Sequence, residues 1–232
     1  MRRLAVLALL GALAVGCGGA SSSGRATVWI TRDRGARVLH VAKVPAGLTA
    51  MQALSRVAKV ESRYGGRYVR AVDGVREHGR RSWFYYVNGY LADRGAADYR
   101  LHAGDVEWWD YRSWKDPAQD PVVVGAFPEP YLHGYGGKRR PTAILFAGRF
   151  RRPGALALGR LLHTRFVRPD GATLPKNANV LLLTHAVGNA LRFEQTSRPL
   201  PGPGGAVFFI FSGDPLELAR HPRMFRFRYS VG

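Results

Sequence analysis

The amino-acid sequence predicts an α+β protein in two parts, a mixed sheet over one helix followed by a small α/β domain. The first part is indicated by segments that follow one another as strand, strand, helix and then several strands. The boundary is indicated by residues 115–121, KDPAQDP, because two prolines and three charged residues without apolar periodicity are typical of a linker. The second part is indicated by a new series of apolar strand and helix patterns after this linker.

The N-terminus has the order of residues found in an export signal. Two arginines after Met1 precede an apolar run at residues 4–15, and a glycine and a cysteine follow. The segment resembles a bacterial lipoprotein signal, in which residues 1–16 are removed and Cys17, the only cysteine of the chain, is lipidated. Residues 17–26 then form the lipidated cysteine and a flexible tether that includes GGASSSG. We therefore predict a protein anchored to the outer face of the bacterial cell membrane; an ordinary secretory signal with an incidental cysteine is the alternative.

The first folded part, residues 27–114, opens with a predicted hairpin and a helix. Residues 27–30 and 38–44 carry β-branched and apolar residues on either side of a polar stretch with a glycine, which favours two paired strands. Thr49 can cap a helix that runs to about Lys59, since apolar residues recur there at helical spacing. The short stretch YVRAV that follows alternates as a strand.

The remaining strands of this part close the sheet. Residues 82–87 predict a strand, and Asn88 with the following glycine is the dipeptide that closes a two-residue hairpin. Residues 90–92 form the short return, and a turn at residues 103–105 leads into the last strand, residues 106–112. This order of elements is that of a β-grasp-like fold, a mixed sheet wrapped across one helix, and right-handed crossovers make the topology ordinary.

The second part, residues 122–232, predicts a small α/β domain of unassigned role. Its predicted strands cover residues 122–127, 142–147, 179–185, 206–211 and 224–229. Its predicted helices cover residues 154–165 and 215–221. Leucines at helical spacing in the longer helix would seat it on the sheet.

The composition is strongly basic, with 35 Lys and Arg against 16 Asp and Glu and a formal net charge of +19. Such a charge attracts polyanions, and outside the cytoplasm these are phospholipid headgroups, anionic wall polymers or an acidic partner protein. No nucleic-acid partner is expected after export. The basic residues are spread along the chain, with one compact cluster at residues 138–140. A solvated basic surface without a specific partner is the alternative.

No catalytic or metal-binding constellation is recognisable in the sequence. The seven histidines are dispersed, and none has metal-ligand spacing to another His, Cys or acidic residue on a predicted helix. Residues 134–138, GYGGK, are only superficially like a phosphate-binding loop, because the spacing differs and no Ser or Thr follows. We therefore predict a protein that is not an enzyme and has no metal site; an enzyme whose catalytic groups converge from distant loops is the alternative.

Four blocks of the first part point to a known family. They are TAMQAL at 49–54, SWFYYVNG at 82–89, GAADY at 95–99 and GDVEWW at 104–109. Through these blocks, residues 27–114 resemble the transcobalamin-like C-terminal domain family. The resemblance implies a β-grasp-like fold and ligand capture by an exported module. In the animal carriers of this family the domain closes over one face of cobalamin, so a corrinoid such as cobalamin is one candidate ligand.

The last strand of the first part indicates where a ligand would bind. Val106 and Trp108 share one face of this strand, while Glu107 and the next two aromatic residues share the other. If the Val106 face is the core, the other face exposes aromatic rings on which a ring-containing ligand can stack. The predicted ligand-binding residues are Trp109, Tyr111, Tyr86, Tyr90 and Trp114. The alternative is that the second domain packs against these rings and buries them.

Two functional hypotheses follow from these features. The first is a lipid-anchored binding protein that captures a small ring-containing ligand on its aromatic face. The second is a cell-surface interaction or adhesion module that contacts anionic wall polymer or a partner protein. Salt separates them, because ionic attraction is screened by salt and stacking is not.

Overall fold

The computed structural model describes residues 24–114, 120–185, 188–194 and 202–230. The predicted signal peptide, Cys17 and most of the predicted tether lie outside the described residues, as does most of the predicted linker. The prediction that the tether continues to residue 26 is wrong, because residues 25 and 26 belong to the first strand. The described residues form an α+β fold with three sheets and a few short helices, as predicted. No helix among them is both long and apolar enough to cross a bilayer.

The first sheet is mixed and has the strand order β2-β1-β8-β6-β7. Its strands are β1 (Arg25–Arg32), β2 (Arg37–Pro45), β6 (Arg81–Val87), β7 (Tyr90–Leu91) and β8 (Val106–Ser113). Strand β1 is antiparallel to β2 and parallel to β8, and β8 is antiparallel to β6. The last strand of the first part therefore lies at the centre of the sheet, with main-chain partners on both sides.

Helix α1 (Ala50–Ser55) lies on one face of this sheet. It begins with a capping box, in which the Thr49 hydroxyl accepts the Gln52 N–H at 3.1 Å and the Gln52 side chain accepts the Thr49 N–H at 2.9 Å. The predicted extension to Lys59 is wrong. The Lys59 N–H instead donates to the Asp73 carboxylate at 2.8 Å, so the chain leaves the helix and enters a second small sheet.

That small sheet is formed by three short strands, β3 (Val60–Arg63), β4 (Tyr68–Val72) and β5 (Val75–Arg76). They pair in the order β3-β4-β5, and only β4 was expected from the sequence. Its apolar residues, Val69 and Val72, join α1 in the core that covers the Trp109 face of the first sheet. The sheet therefore completes the cover that the six-residue helix is too short to provide.

The second part contains a five-stranded sheet with the order β10-β9-β11-β13-β12. Its strands are β9 (Thr142–Phe146), β10 (Val167–Pro169), β11 (Asn179–Thr184), β12 (Ala190–Phe193) and β13 (Phe208–Ser212). All neighbouring pairs are parallel except β12 with β13. Helix α3 (Arg152–Leu161) connects β9 to β10, and α4 (Pro215–Arg220) follows β13. The small α/β unit predicted for this part is therefore present.

Two strands predicted for the second part are absent from the described residues. Residues 122–127 contain a 3-10 turn, Val124–Ala126, which is followed by α2 (Glu129–Leu132). Residues 224–227 lie in consecutive turns, and a bend follows at residue 229. Their apolar residues pack between the two parts of the chain without joining a sheet, and the Gly125 N–H donates to the Arg228 carbonyl at 2.7 Å. The apolar patterns thus reflect burial at the junction.

The two parts share one continuous apolar core. The largest cluster of buried residues includes α1 and β8 from the first part together with β9, β11, β13 and α3 from the second. Helix α2 lies at the junction, where the Tyr131 hydroxyl donates to the Val180 carbonyl at 2.8 Å and the Asn179 amide donates to the Pro130 carbonyl at 3.0 Å. The division into two domains at residues 115–121 stays a prediction.

Candidate functional site

Four of the five aromatic residues predicted to bind a ligand are buried. Tyr86, Tyr90, Trp109 and Tyr111 are each at most 5% exposed, and Trp114 alone is substantially exposed, at 44%. The prediction that these rings form one open face is therefore wrong. Their role in ligand binding stays a prediction, and it would require the core to open.

The Trp109 face of β8 is covered from within the first part. Tyr85 stacks on Trp109 with ring centroids 4.7 Å apart, and Trp83 packs against Tyr111 at 5.3 Å. The Tyr111 hydroxyl donates to the Arg76 carbonyl on β5 at 2.9 Å. Strand β8 is central and α1 with the small sheet lies over this face, so these rings are core residues.

The Trp108 face is covered by the C-terminal segment. Phe227 packs edge-on against Trp29 at 4.9 Å, and Tyr229 packs edge-on against Trp108 at 5.3 Å. The prediction that the Val106 face is buried is confirmed, since Val106 belongs to this cluster. Burial of the predicted rings by the second part, the alternative stated from the sequence, is confirmed for Tyr86, which packs edge-on against Tyr229 at 5.6 Å. A segment more than a hundred residues later in the chain supplies the second cover.

Buried polar groups on the Trp108 face hold that segment in place. The Asp110 carboxylate accepts hydrogen bonds from the Thr31 hydroxyl at 2.6 Å, the Arg34 N–H at 3.0 Å and the Tyr229 hydroxyl at 3.0 Å. Because four donors, including the Gly35 N–H, surround this carboxylate, its buried charge is compensated. The network has a structural role.

A basic cleft of about 710 Å³ lies where the two parts meet and is here called the junction cleft. Its lining residues come from the loop after β7, the segment between α2 and β9, and the loop before β13. They are Asp93, Arg94, Tyr135, Gly136, Lys138, Arg139, Arg140, Pro141, Pro203 and Gly204. A cleft of this volume is within the range that holds small ligands.

A tight glycine turn forms one wall of the junction cleft. The N–H and carbonyl groups of Tyr135 and Lys138 exchange hydrogen bonds, both at 3.1 Å. Gly136 and Gly137 lie between them with φ values of 60° and 72°, which a two-residue hairpin turn of this hand requires. The turn presents the Lys138 ammonium and the two following arginines to the cleft.

Asn88 connects this wall to the first sheet. Its amide nitrogen donates to the Asp105 carboxylate at 2.7 Å and to the Gly134 carbonyl at 3.0 Å, and its amide oxygen accepts the Val106 N–H at 2.8 Å. Asn88 has a φ of 50°, which confirms the predicted turn. The buried amide therefore fixes the glycine turn relative to β8.

Tyrosines and one carboxylate form the floor. Tyr135 packs against Tyr99 at 5.1 Å and donates its hydroxyl hydrogen to Asp93 at 2.7 Å. The Gly136 N–H donates to the Tyr99 hydroxyl at 2.9 Å. Burial, together with the hydrogen bond to Asp93, raises the pKa of Tyr135, so its phenol stays neutral. Burial raises the pKa of Asp93, but hydrogen bonds from Arg94 and Tyr135 outweigh it and the net pKa is lowered.

The cleft carries four cations against one carboxylate. Arg94 pairs with Asp93 at 3.0 Å, so the negative charge of the lining is already engaged. Arg139 donates to the Leu162 carbonyl at 3.0 Å and Arg140 donates to the Gly204 carbonyl at 2.5 Å, which orients both guanidinium groups without neutralising them. Lys138 is exposed and has no ion-pair partner among the described residues. The cleft is therefore suited to an anion.

A second basic groove of about 500 Å³ adjoins the junction cleft. Arg139 and Arg140 line both, and the groove continues past His163 and Arg165. Cationic groups therefore extend from the cleft across its neighbouring surface.

The sequence held part of the signal for this site. The basic cluster at residues 138–140 and the glycine run before it were both noted, but neither was assigned a function. Asp93 and Arg94 were missed because nothing local places them beside Tyr135, which is about forty positions later in the chain. Within the part of the chain that the structure describes, no three His, Cys, Asp or Glu side chains gather where they could hold a metal ion.

Comparison with known families gives one match. Residues 47–113 match the sequence model of a family described as a domain of unknown function, DUF4430. This match overlaps the segment that resembles the transcobalamin-like C-terminal domain family. Among curated proteins, none matches the chain.

Two solved structures are similar to 39% of the chain. One is a candidate metal binding protein from Ruminococcus gnavus ATCC 29149, with 16% identity, a TM-score of 0.32 and 97% of that chain covered. The other is haptocorrin in complex with Cbi, with 15% identity and a TM-score of 0.33. The similarity spans 25% of the haptocorrin chain. Likenesses this weak do not assign a ligand to this protein.

Proposed function

We propose that the protein is an exported, lipid-anchored binding protein whose junction cleft holds a small anionic ligand bearing phosphate or carboxylate groups. Export and anchoring rest on the N-terminal pattern that ends at Cys17. The ligand class rests on one observation, the gathering of four cations around a cleft whose single carboxylate is already paired. Arginine and lysine together suit oxyanions, since guanidinium groups bind them in a bidentate manner.

The ordered lining supports specific binding rather than non-specific attraction of anions to a basic surface. Arg139 and Arg140 are oriented by backbone carbonyls, and Asn88 fixes the glycine turn that carries Lys138. Cations held in place before a ligand arrives lose little side-chain freedom when it binds. A merely solvated basic surface would not need such support.

Titration with inorganic pyrophosphate by isothermal calorimetry tests this function. Lys138→Gln removes one cleft charge without removing a described hydrogen bond, and we expect it to weaken binding about fivefold, since an exposed charge contact contributes up to about 1 kcal/mol. Lys43→Gln is the matched control, because Lys43 is an exposed lysine on β2 outside the cleft lining. Equal losses in both variants would show general charge attraction and would contradict the proposal.

The corrinoid candidate from the sequence resemblance has its own test. Native mass spectrometry of the protein purified from its own host would show a retained corrinoid as added mass. A visible absorption spectrum of the same sample would show the corrin ring. Cobalamin carries a phosphodiester, which is the chemistry that the cleft favours. Retention reduced by Lys138→Gln but not by Lys43→Gln would place the corrinoid at the cleft, while retention that the variant leaves unchanged would point to the buried aromatic rings.

A second function, attachment to an anionic wall polymer, is favoured by the groove that adjoins the cleft. Because Arg139 and Arg140 line both depressions, a polyanion can extend from one into the other. Polyphosphates of increasing length distinguish the two functions. Affinity that levels off at two or three phosphates supports a small ligand, whereas affinity that keeps rising with length and falls steeply with salt supports the polymer.

A further inference from the structure

A second surface of the protein, formed by residues outside the junction cleft, is also basic. Residues 149–169 contain six arginines and no Asp or Glu. Much of this charge lies on α3 and on the loop that precedes it, at the carboxyl ends of the parallel strands β9 and β10. The segment therefore presents positive charge without local compensation.

Phe150 stands out within this segment. It is 84% exposed, the highest value among the large apolar side chains that the structure describes. The guanidinium of Arg149 lies 5.0 Å from the centre of its ring. Arg151 on its other side donates to the Thr184 carbonyl at 3.0 Å and to the Ala147 carbonyl at 2.6 Å, so the loop that carries the ring is braced against the sheet.

The arginines around this ring have no acidic partners. Arg149, Arg152 and Arg168 line a depression of about 450 Å³, and none of them forms an ion pair with a described carboxylate. Phe150 lines a separate depression of about 420 Å³ together with Arg151 and Asp214. The two acidic residues that follow nearby strands are occupied with backbone groups. Asp170 accepts the Gly171 N–H at 2.9 Å, and Asp214 accepts the Leu216 N–H at the start of α4, also at 2.9 Å.

The exposed face of α3 continues the same pattern. Arg152, Leu156 and Arg160 follow one another at four-residue spacing and are all exposed, while the opposite face is buried. The surface thus alternates arginine with exposed apolar side chains. We call it the Phe150 surface, formed by Arg149, Phe150, Arg152, Leu156, Arg160 and Arg168.

We propose that the Phe150 surface contacts an anionic phospholipid bilayer, with the Phe150 ring among the headgroups and acyl chains and the arginines on lipid phosphates. An aromatic ring flanked by cations is the composition that binds at such an interface. A soluble anion would use the arginines but would leave the ring in water. The bilayer accounts for both, since it offers phosphate and an apolar layer side by side.

Cosedimentation with vesicles tests this contact, using the chain from residue 24 onward so that neither the export signal nor the anchor contributes. This chain keeps every contact described above. We expect binding to vesicles of one third phosphatidylglycerol in phosphatidylcholine and at least tenfold weaker binding to phosphatidylcholine alone. Phe150→Ser should weaken binding to the anionic vesicles about tenfold, because a buried phenylalanine ring contributes that much to partitioning.

Tyr64→Ser is the matched control, because Tyr64 is also a highly exposed aromatic residue beside arginines but lies on the β3–β4 turn. Its binding should equal that of the unsubstituted chain. Equal losses for Tyr64→Ser and Phe150→Ser, or full binding by Phe150→Ser, would overturn the proposal and indicate adsorption through charge alone. Phe150→Ser should leave pyrophosphate affinity unchanged, so this test and that of the junction cleft fail independently.

Discussion

Replacing Glu107 by glutamine should make the stability of the protein less dependent on pH. Glu107 is fully buried on β8, and its Oε1 accepts the Trp109 indole N–H at 2.5 Å. Its Oε2 has no hydrogen-bond partner in the structure. Burial, with the nearby charge of Asp105 adding to it, raises the pKa of this carboxyl well above 4.5, although the Trp109 hydrogen bond opposes the shift. The folded protein therefore keeps the Glu107 proton to a higher pH than the unfolded chain does.

The sign of the effect follows from where the proton is bound. Above pH 4.5 the unfolded chain loses this proton while the folded protein keeps it, so stability falls as pH rises toward the raised pKa. Between pH 4.5 and the raised pKa, each pH unit lowers the free energy of unfolding by about 1.4 kcal/mol. Below pH 4.5 both states are protonated, and the full stability is present.

Glutamine resembles the protonated acid and cannot ionise. Glu107→Gln keeps an acceptor for Trp109 but adds an unpaired buried N–H, which costs about 1–3 kcal/mol. The variant should therefore be less stable than the unsubstituted protein near pH 4.5. As pH rises from 4.5 toward the raised pKa of Glu107, the variant should gain stability relative to that protein by about 1.4 kcal/mol per pH unit.

Urea unfolding at pH 5, 6, 7 and 8, followed by tryptophan fluorescence and circular dichroism, measures this gain. Glu61→Gln on β3 is the control, because Glu61 is an exposed carboxylate paired with Arg76. Its difference from the unsubstituted protein should vary little over the same range. A constant difference for Glu107→Gln from pH 5 to 8 would refute the reasoning and show that the buried carboxyl is ionised.

Three further variants test the junction. Asn88→Ala removes three buried hydrogen bonds and should lower the free energy of unfolding by about 3 kcal/mol, measured in urea; a loss below 1 kcal/mol would contradict the role of this amide. His133 Nδ1 lies 2.8 Å from Glu129 Oε2, and this hydrogen bond raises the pKa of His133. The contribution of the pair to the free energy of unfolding is therefore complete below pH 6.5 and is lost as pH rises through the raised pKa. His133→Gln should flatten that decline, and an unchanged slope between pH 6 and 8 would argue against the pair. Gly134→Ala should lower the melting temperature sharply, because a Cβ would lie 2.0 Å from the Lys138 carbonyl oxygen at a φ of 66°, and an unchanged melting temperature would count against this geometry.

Local patterns predicted the elements that have local causes. The Thr49 helix cap, the Asn88 turn, the five strands of the first sheet and strands β9, β11 and β13 depend on residues close in sequence, so their signals are visible without coordinates. Strands β10 and β12 were not predicted. Elements with weak local signals were missed, and the two-residue strand β5 is an example, since pairing with β4 stabilises it. The end of α1 was also missed, because Asp73 lies fourteen positions after Lys59.

The candidate site shows the same limit. Alternation along β8 correctly separated Trp108 from Trp109, but alternation states only that two faces differ. It does not state how many of them are covered. Phe227 and Tyr229 cover the Trp108 face, and the small sheet covers the Trp109 face. The rings that were expected at the surface are therefore core residues.

The sequence by itself determined the fold class, the basic charge and the capacity to build a packed core, because composition and residue periodicity carry these properties. Only the tertiary structure decided which aromatic rings are buried and where cations gather. Arg94, Arg140 and Gly204 lie far apart in the chain and meet at one cleft. Their meeting is a consequence of how the two sheets pack through α2 and the C-terminal segment, and long-range packing of this kind leaves no local pattern to read.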